Sequence, residues 1–175
     1  IKYQNEKRME VYKNFLSPYL AGLSHNISEL LPKKLDYSFF CNSGAEAVDG
    51  AIKISYKYFN GTRKYILHSD ISFHGKLLGS LSISNQNEFI FPKIPNTLKY
   101  KYNDINSVKK LVKKYRNKDK SSNIYALIIE PFSASTYRMC TEQFLNDLKK
   151  ICNDNKIILI FDEIYSGFFK TGKFF

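Results

Sequence analysis

Two adjacent carboxylates, Asp162 and Glu163, directly follow a run of five apolar residues, Ile157–Phe161. A run rich in β-branched residues indicates a strand buried on both faces, and such a strand belongs in the middle of a parallel sheet. Ligands of open α/β sheets bind beyond the carboxyl ends of the strands, where these carboxylates would lie. Because a carboxylate beside a buried core is costly unless something positive meets it, we expect Asp162 to face a cation or a protonated ring.

The segment Asn42–Glu46 could bind an anion at the start of a helix. Ser43 and Glu46 have the S-x-x-E spacing of a capping box, and an amphipathic pattern follows over about residues 45–59. Gly44 would let the backbone approach a ligand closely, and free N–H groups at a helix start attract anions. The pattern is therefore consistent with a phosphate site, and equally with a capped helix start that binds nothing.

Two further residues could contribute to a site at the same edge. Glu130 follows the apolar run Asn123–Ile129, which predicts a second buried strand. Phe73 stands in the loop segment Phe73–Gly75, where an aromatic side chain could stack on a planar ligand or could simply join the core.

The elements that would position these residues alternate between strands and helices, which predicts an α/β fold with a mostly parallel sheet. A helical pattern covers about residues 5–20 and is interrupted at Ser17-Pro18. A second, short helix is predicted to start with a cap at Asn26–Glu29 and to end by Pro32. Residues 85–100 are predicted to be irregular. The remaining predicted helices are residues 45–59, 104–117 (capped by Asp104) and 141–153 (capped by Thr141), and the predicted strands are 37–41, 64–68, 123–129 and 157–161.

The net charge of +11 raises the possibility of a nucleic-acid partner. However, in the densest basic cluster, Lys109–Arg116, apolar residues recur at helical spacing, which favours the solvated face of an amphipathic helix over a nucleic-acid surface.

The three cysteines form no C-x-x-C pair and the histidines no H-E-x-x-H motif, so the sequence indicates a reducing compartment and no metal site. No apolar run approaches the ~20 residues that cross a bilayer.

Taken together, the motifs resemble the class III aminotransferases of the ornithine and acetylornithine type, which are pyridoxal-phosphate enzymes of fold type I. The matching segments occur in the family's order and cover nearly the whole chain; they are Phe40–Val48, Phe73–Gly75, Ile128–Pro131 and Phe161–Gly167 with Thr171-Gly172. The resemblance implies an α/β fold, namely the truncated large domain of a fold type I pyridoxal-phosphate-dependent transferase, with a mostly parallel sheet and flanking helices.

The resemblance also implies roles in binding pyridoxal 5′-phosphate. Gly44 and Ala45 would offer backbone N–H groups to the coenzyme phosphate, with Ser43 nearby. Phe73 would stack on the pyridine ring. Asp162 would pair with the protonated ring nitrogen, which keeps the ring an electron sink.

Further implied roles lie nearer the substrate. Tyr165 would lie beside the ring hydroxyl, where the family often has Gln, and Glu130 would line the substrate pocket. Residues 132–138 replace a stretch that in the family is often Gly-rich and carries a second acidic residue. The family's Schiff-base lysine follows a further strand beyond Asp162, and neither Lys170 nor Lys173 matches it, so we expect no catalytic lysine in this chain.

We therefore expect this chain to be part of a longer protein, cut at both ends, and to be inactive by itself. Residues 1–35 would form an amino-terminal helical segment and residues 36–175 a partial coenzyme-binding large domain. The whole protein would be a cytoplasmic homodimer, without nucleic-acid or membrane partners, that transfers an amino group between an amine or amino acid and a 2-oxo acid. The alternatives are an aminomutase, racemase or decarboxylase on the same scaffold, or a non-catalytic basic remnant of it.

Overall fold

The structure is a computed structural model that describes residues 17–31, 35–85 and 92–175. The chain divides into two compact units, Ile1–Phe40 and Cys41–Phe175. The division predicted from the sequence, after residue 35, stays a prediction.

In the first unit, the described helix α1 spans Pro18–Leu30 without a break. The prediction that Asn26–Glu29 caps a separate helix is therefore wrong. Ser17 has an extended backbone (φ −91°, ψ 123°), which agrees with the predicted interruption of the helical pattern at Ser17-Pro18. Ser17 is the N-cap and Pro18 stands in the first turn, where a missing N–H costs nothing because the first N–H groups of a helix have no intrahelical partner. Most of the helix predicted over residues 5–20 lies outside the described residues.

The strand predicted over residues 37–41 does not form either. These residues belong to neither a helix nor a strand. Tyr37 is 99% and Phe39 78% exposed, so neither side chain has the burial that one face of a packed strand requires.

The second unit alternates strands and helices, which confirms the predicted α/β class. Its helices are α2 (Gly44–Tyr58), α3 (Leu78–Ser82), α4 (Ile105–Lys114) and α5 (Glu142–Asp154). Its strands are β1 (Tyr65–Ser69), β2 (Thr97–Tyr100), β3 (Ile124–Ile129), β4 (Phe132–Ser133), β5 (Arg138–Met139) and β6 (Ile158–Phe161).

Four of these strands form a parallel sheet in the order β2-β1-β3-β6, whereas β4 and β5 form a separate antiparallel hairpin. Side chains of β3 alternate between two cores: Leu127 packs with residues of α4 and α5, and Ile128 packs with Val48 and Ile52 of α2. Helices thus cover both faces of the sheet, as parallel sheets require. Among the residues that the structure describes, no helix has both the length and the apolar composition needed to cross a bilayer.

The position of β6 differs from the prediction. The run Ile157–Phe161 was expected to form a central strand, but β6 is the outermost strand on its side of the described sheet. Ile158, Leu159 and Ile160 are only half buried and Phe161 is exposed, in contrast to the fully buried β3. Among the strands that the structure describes, only β3 pairs with β6.

Candidate active site

The carboxyl ends of β3 and β6 bring two of the predicted acidic residues to one edge of the sheet. Ile129 and Phe161 are partners in the parallel register, and the backbone N–H of Asp162 donates to the Ile129 carbonyl at 2.9 Å. Glu130 and Asp162 therefore follow directly from paired positions. Both are buried, with exposed fractions of 5% and 7%.

Asp162 is held by hydrogen bonds on both carboxylate oxygens. Its Oδ2 lies 2.7 Å from Nδ1 of His74, and its Oδ1 accepts from the backbone N–H of Ile164 at 3.1 Å. With a proton on Nδ1, the His74 ring donates this hydrogen bond to the carboxylate. Within this chain, the ring that faces Asp162 is the imidazole of His74.

This arrangement can accept a coenzyme ring nitrogen. An ionised carboxylate has about four lone-pair sites, and two are used by the His74 and Ile164 contacts, so Asp162 can accept a further charged donor. In addition, Nε2 of His74 is buried and has no hydrogen-bond partner among the described residues. A buried orphan of this kind beside a carboxylate is typical of a site that receives another group. Glu163, the neighbouring carboxylate, accepts instead from the Ser166 hydroxyl.

At the start of α2, Ser43 caps the helix as the S-x-x-E spacing predicts, while Glu46 bonds to the residue before the cap. The Ser43 hydroxyl accepts from the backbone N–H of Glu46 at 3.3 Å, and the Glu46 carboxylate accepts from the N–H of Asn42 at 2.7 Å. The N–H groups of Gly44 and Ala45, at the first two helical positions, have no acceptor within the helix. They can therefore bind an anion, as the sequence suggested.

Two contacts join this helix start to the rest of the site. A Cβ added to Gly44 would lie 2.5 Å from Cδ1 of Ile164, so the turn that follows Asp162 packs directly on the helix start. A Cβ added to Gly75 would lie 2.6 Å from the Cβ of Ala45. The helix start is thus enclosed by segments from two other parts of the chain.

The loop between β1 and α3, residues 70–77, connects all the predicted segments; we call it the Phe73 loop. The backbone N–H of Phe73 donates to Oε2 of Glu130 at 2.8 Å, and the N–H of His74 donates to the Ser84 hydroxyl at 2.8 Å. The His74 ring reaches Asp162, and Gly75 packs on Ala45. Segments that are far apart in sequence therefore meet at this loop.

Burial raises the pKa of the Glu130 carboxyl above its ordinary value. The N–H of Phe73 and the charge of His74 oppose this shift, whereas the charge of Asp162 adds to it. The carboxylate is therefore already engaged by the protein, and its predicted place in a substrate pocket stays a prediction.

Tyr165 lies apart from this network, in the turn after Asp162. Its ring stacks on Phe132 of β4, with ring centroids 5.6 Å apart and planes at 14°. The Lys170 ammonium lies 4.6 Å from the centroid of the Tyr165 ring, within the range of a cation–π contact. The contact of Tyr165 with a coenzyme hydroxyl stays a prediction.

Sequence reasoning missed three residues that organise the site: His74, Ser84 and Ile164. His74 and Ile164 stand within the matching segments Phe73–Gly75 and Phe161–Gly167, and their nearness to Phe73 and Asp162 was the signal that could have pointed to them. The contacts of Ser84 with His74 and of Ile164 with Gly44 depend on how the chain folds, which no local pattern reveals.

His68, at the base of the Phe73 loop, makes this region sensitive to acid. It is 1% exposed, and its Nδ1 lies 3.1 Å from both the Ser72 hydroxyl and the Ser69 carbonyl. Desolvation lowers the pKa of His68 from 6.5 to about 4. The native state therefore binds fewer protons than the unfolded state between these values, so the stabilisation is complete above pH 6.5 and is lost as the pH falls towards 4.

We accordingly expect the free energy of unfolding to fall by about 3 kcal/mol over that pH range because of this residue. Denaturant unfolding at a series of pH values measures it, and His68→Asn should flatten the dependence. The matched control is His25→Asn, at an exposed histidine of α1, which should leave the slope unchanged. Equal slopes in all three proteins would contradict the assignment.

Comparison with known proteins identifies relatives of the whole chain. The family model for aminotransferase class-III matches residues 1–175. The acetylornithine aminotransferase of Methanopyrus kandleri is 33% identical over 179 residues, which cover 100% of this chain and 43% of the relative. That of Prochlorococcus marinus is 40% identical over 144 residues, covering 77% and 34% respectively. The chain thus spans less than half the length of these curated relatives.

Solved structures agree with the fold. An (S)-enantioselective omega-transaminase from Thermomicrobium roseum superposes with a TM-score of 0.87 at 25% identity, over 99% of this chain and 44% of that one. An ornithine aminotransferase from Toxoplasma gondii, which has pyridoxal phosphate at partial occupancy in its active site, superposes with a TM-score of 0.79 at 19% identity, over 94% and 39% of the two chains.

Proposed function

The chain belongs to the class-III aminotransferase family, and from that premise we propose that the complete protein is a pyridoxal 5′-phosphate-dependent aminotransferase. It transfers an amino group between an amine or amino acid and a 2-oxo acid. The observation that carries the proposal is the buried Asp162 carboxylate at the carboxyl edge of the sheet, next to the start of α2 and the Phe73 loop.

Each binding role in the proposal has a physical basis. Gly44 and Ala45 bind the coenzyme phosphate through their N–H groups, beside Ser43, because a helix start attracts anions. Phe73 packs against the coenzyme ring. When bound, the pyridoxal group supplies an electron sink for the electron pair left on the carbon that carries the amino group.

Asp162 holds the proton of the coenzyme's ring nitrogen. Its negative charge favours the protonated form, as an opposite charge at close range does. His74 orients the carboxylate through the hydrogen bond at 2.7 Å. Tyr165 contacts the ring hydroxyl in this proposal, and no residue of this chain is assigned the role of the lysine that attaches the coenzyme.

The proposal extends to assembly and location. A homodimer would cover large apolar side chains that are exposed in this chain, among them Tyr37, Phe39 and Ile54. A reducing cytoplasm suits three cysteines that are all free thiols. The lysines of α4 are exposed around a buried apolar stripe, which favours a solvated face over a nucleic-acid surface, and no membrane partner is proposed.

Transfer of labelled nitrogen tests this function. The complete protein is incubated with pyridoxal phosphate, a 2-oxo acid and a panel of amines and amino acids that carry an isotopic nitrogen label, N-acetylornithine among them. We expect the label to appear in the amino acid formed from the 2-oxo acid. If no label is transferred, release of carbon dioxide would indicate a decarboxylase, racemisation of the donor a racemase, and isomerisation of the donor a mutase. Failure to bind the coenzyme would favour a non-catalytic remnant.

A further inference from the structure

Glu130 is a buried carboxylate that needs an explanation of its own. It is 5% exposed and lies close enough to the charge of Asp162 for that charge to disfavour its ionised form. A buried carboxylate is stable only where hydrogen bonds compensate for lost hydration. The donors that surround it therefore indicate what it does.

The donor of the hydrogen bond to its side chain comes from a different segment of the chain. The N–H of Phe73 lies 2.8 Å from Oε2 of Glu130. Glu130 itself directly precedes Pro131 and the β4–β5 hairpin, Phe132–Met139. The carboxylate thus joins the Phe73 loop to the chain that leads into the hairpin, and the N–H of Ala134 in the hairpin turn acts to lower the pKa of Glu130.

A second contact links the same two segments independently. The Ser135 hydroxyl, in the turn of the hairpin, donates to the carbonyl of Ile71 in the Phe73 loop at 3.1 Å. The Phe73 loop and the β4–β5 hairpin are therefore joined twice, once through the buried Glu130 and once at the exposed Ser135.

The connection reaches both aromatic residues that the proposed function assigns to the coenzyme. Phe73 is held directly by its backbone. Tyr165 is reached indirectly, since its ring stacks on Phe132 at the start of the hairpin. A shift of the hairpin relative to the loop would move the two aromatic rings relative to each other.

From these contacts we propose that Glu130 is a positioning residue, which fixes the Phe73 loop to the β4–β5 hairpin and does not bind substrate. The assignment rests on the proposed function for its effect on the coenzyme, but the clamp itself is a property of the protein alone. Glu130 acts through the backbone N–H of Phe73. Its substrate-pocket position suggested by the family resemblance is thereby replaced by a supporting one.

Amide hydrogen exchange of the complete protein, without coenzyme, tests the clamp. In Glu130→Leu, which keeps the volume but has no acceptor, we expect exchange in residues 70–77 and 132–139 to rise about tenfold. Glu130→Gln retains one acceptor oxygen and should give an intermediate rise. The control is Glu142→Gln at an exposed glutamate of α5, which should change neither segment.

Kinetics of the coenzyme-loaded protein separate positioning from substrate binding. Glu130→Leu and Glu130→Gln should release the coenzyme faster in the same order as their exchange rates, with a KM for the amino donor that changes less than the coenzyme release rate. Unchanged exchange with a raised KM would overturn the proposal and restore a substrate contact.

If Glu130→Leu does not fold, Ser135→Ala provides the same readout, since it removes the second link and should raise exchange in the same two segments. Unchanged exchange in both Glu130→Gln and Ser135→Ala would also overturn the positioning role of Glu130. A protein that shows these exchange changes but binds no coenzyme would refute only the proposed function.

Discussion

Replacing Asp162 by Asn in the complete enzyme should lower kcat by about tenfold to a thousandfold, because a close opposite charge shifts a pKa by ~1–3 units. The substitution keeps the size of the side chain and a hydrogen-bonding group but removes the charge that holds the proton of the coenzyme's ring nitrogen. Coenzyme affinity should fall much less, because the phosphate contacts at the start of α2 are untouched. The expected signature is a low kcat with the coenzyme still bound.

Single-turnover kinetics with thermal unfolding in parallel measure this effect. Asp162→Glu should be nearly as harmful, since one added methylene displaces a carboxylate that is packed between His74 and the Ile164 N–H. Asp154→Asn, at an exposed position of α5, is the control for charge removal. If Asp162 only stabilises its turn, both variants will lose stability while the folded fraction turns over normally, and that result would refute the coenzyme role.

Gly75→Ala should destabilise the protein by about 3 kcal/mol, which combines backbone strain with overpacking. Gly75 has φ +126°, a conformation that residues with a Cβ rarely adopt, and the added Cβ would lie 2.6 Å from Cβ and 3.0 Å from Cα of Ala45. The helix start cannot give way as a flexible side chain would. We therefore expect the Phe73 loop and the start of α2 to separate, with loss of stability and, under the proposed function, of coenzyme affinity.

Gly172→Ala is the matched control for the Gly75 substitution. Gly172 also has a positive φ, +87°, but an added Cβ there would meet nothing within 4 Å. The Gly172→Ala variant should therefore lose only the part of the unfolding free energy that is due to backbone strain. Equal losses in the unfolding free energies of the two variants would contradict the contact between Gly75 and Ala45.

The sequence was sufficient for the fold class and for the edge of the sheet where the site lies. Apolar runs such as Asn123–Ile129 mark strands buried on both faces, and a carboxylate after such a run is placed at the carboxyl end by chain direction alone. The capping box of Ser43 and Glu46 was equally local, because its donors and acceptors lie within five residues of each other. These features need no knowledge of distant partners.

Features that depend on pairing between distant residues could not be predicted in the same way. The apolar run Ile157–Phe161 predicts a strand buried on both faces but does not show which strands lie beside it, so the half-buried position of β6 at the edge of the described sheet was missed. The short strand β2 fell in a stretch predicted to be irregular, and β4 and β5 have only two residues each, too few for a period to appear. The spacing of Asn26–Glu29 fits a capping box, yet these residues lie inside α1, because the spacing alone does not show whether a helix starts there.

The Phe73 loop also imposes an order on the biosynthesis of the site. Its contact with Ala45 can form once residue 75 has been synthesised, whereas the Glu130 bond spans 57 residues and the Asp162 bond spans 88. At a translation rate of ~5–20 residues per second, Asp162 is therefore synthesised several seconds after His74, and during this time their hydrogen bond cannot form. The first-made half of the site is thus exposed to the ribosome surface and to chaperones until β6 emerges and completes it.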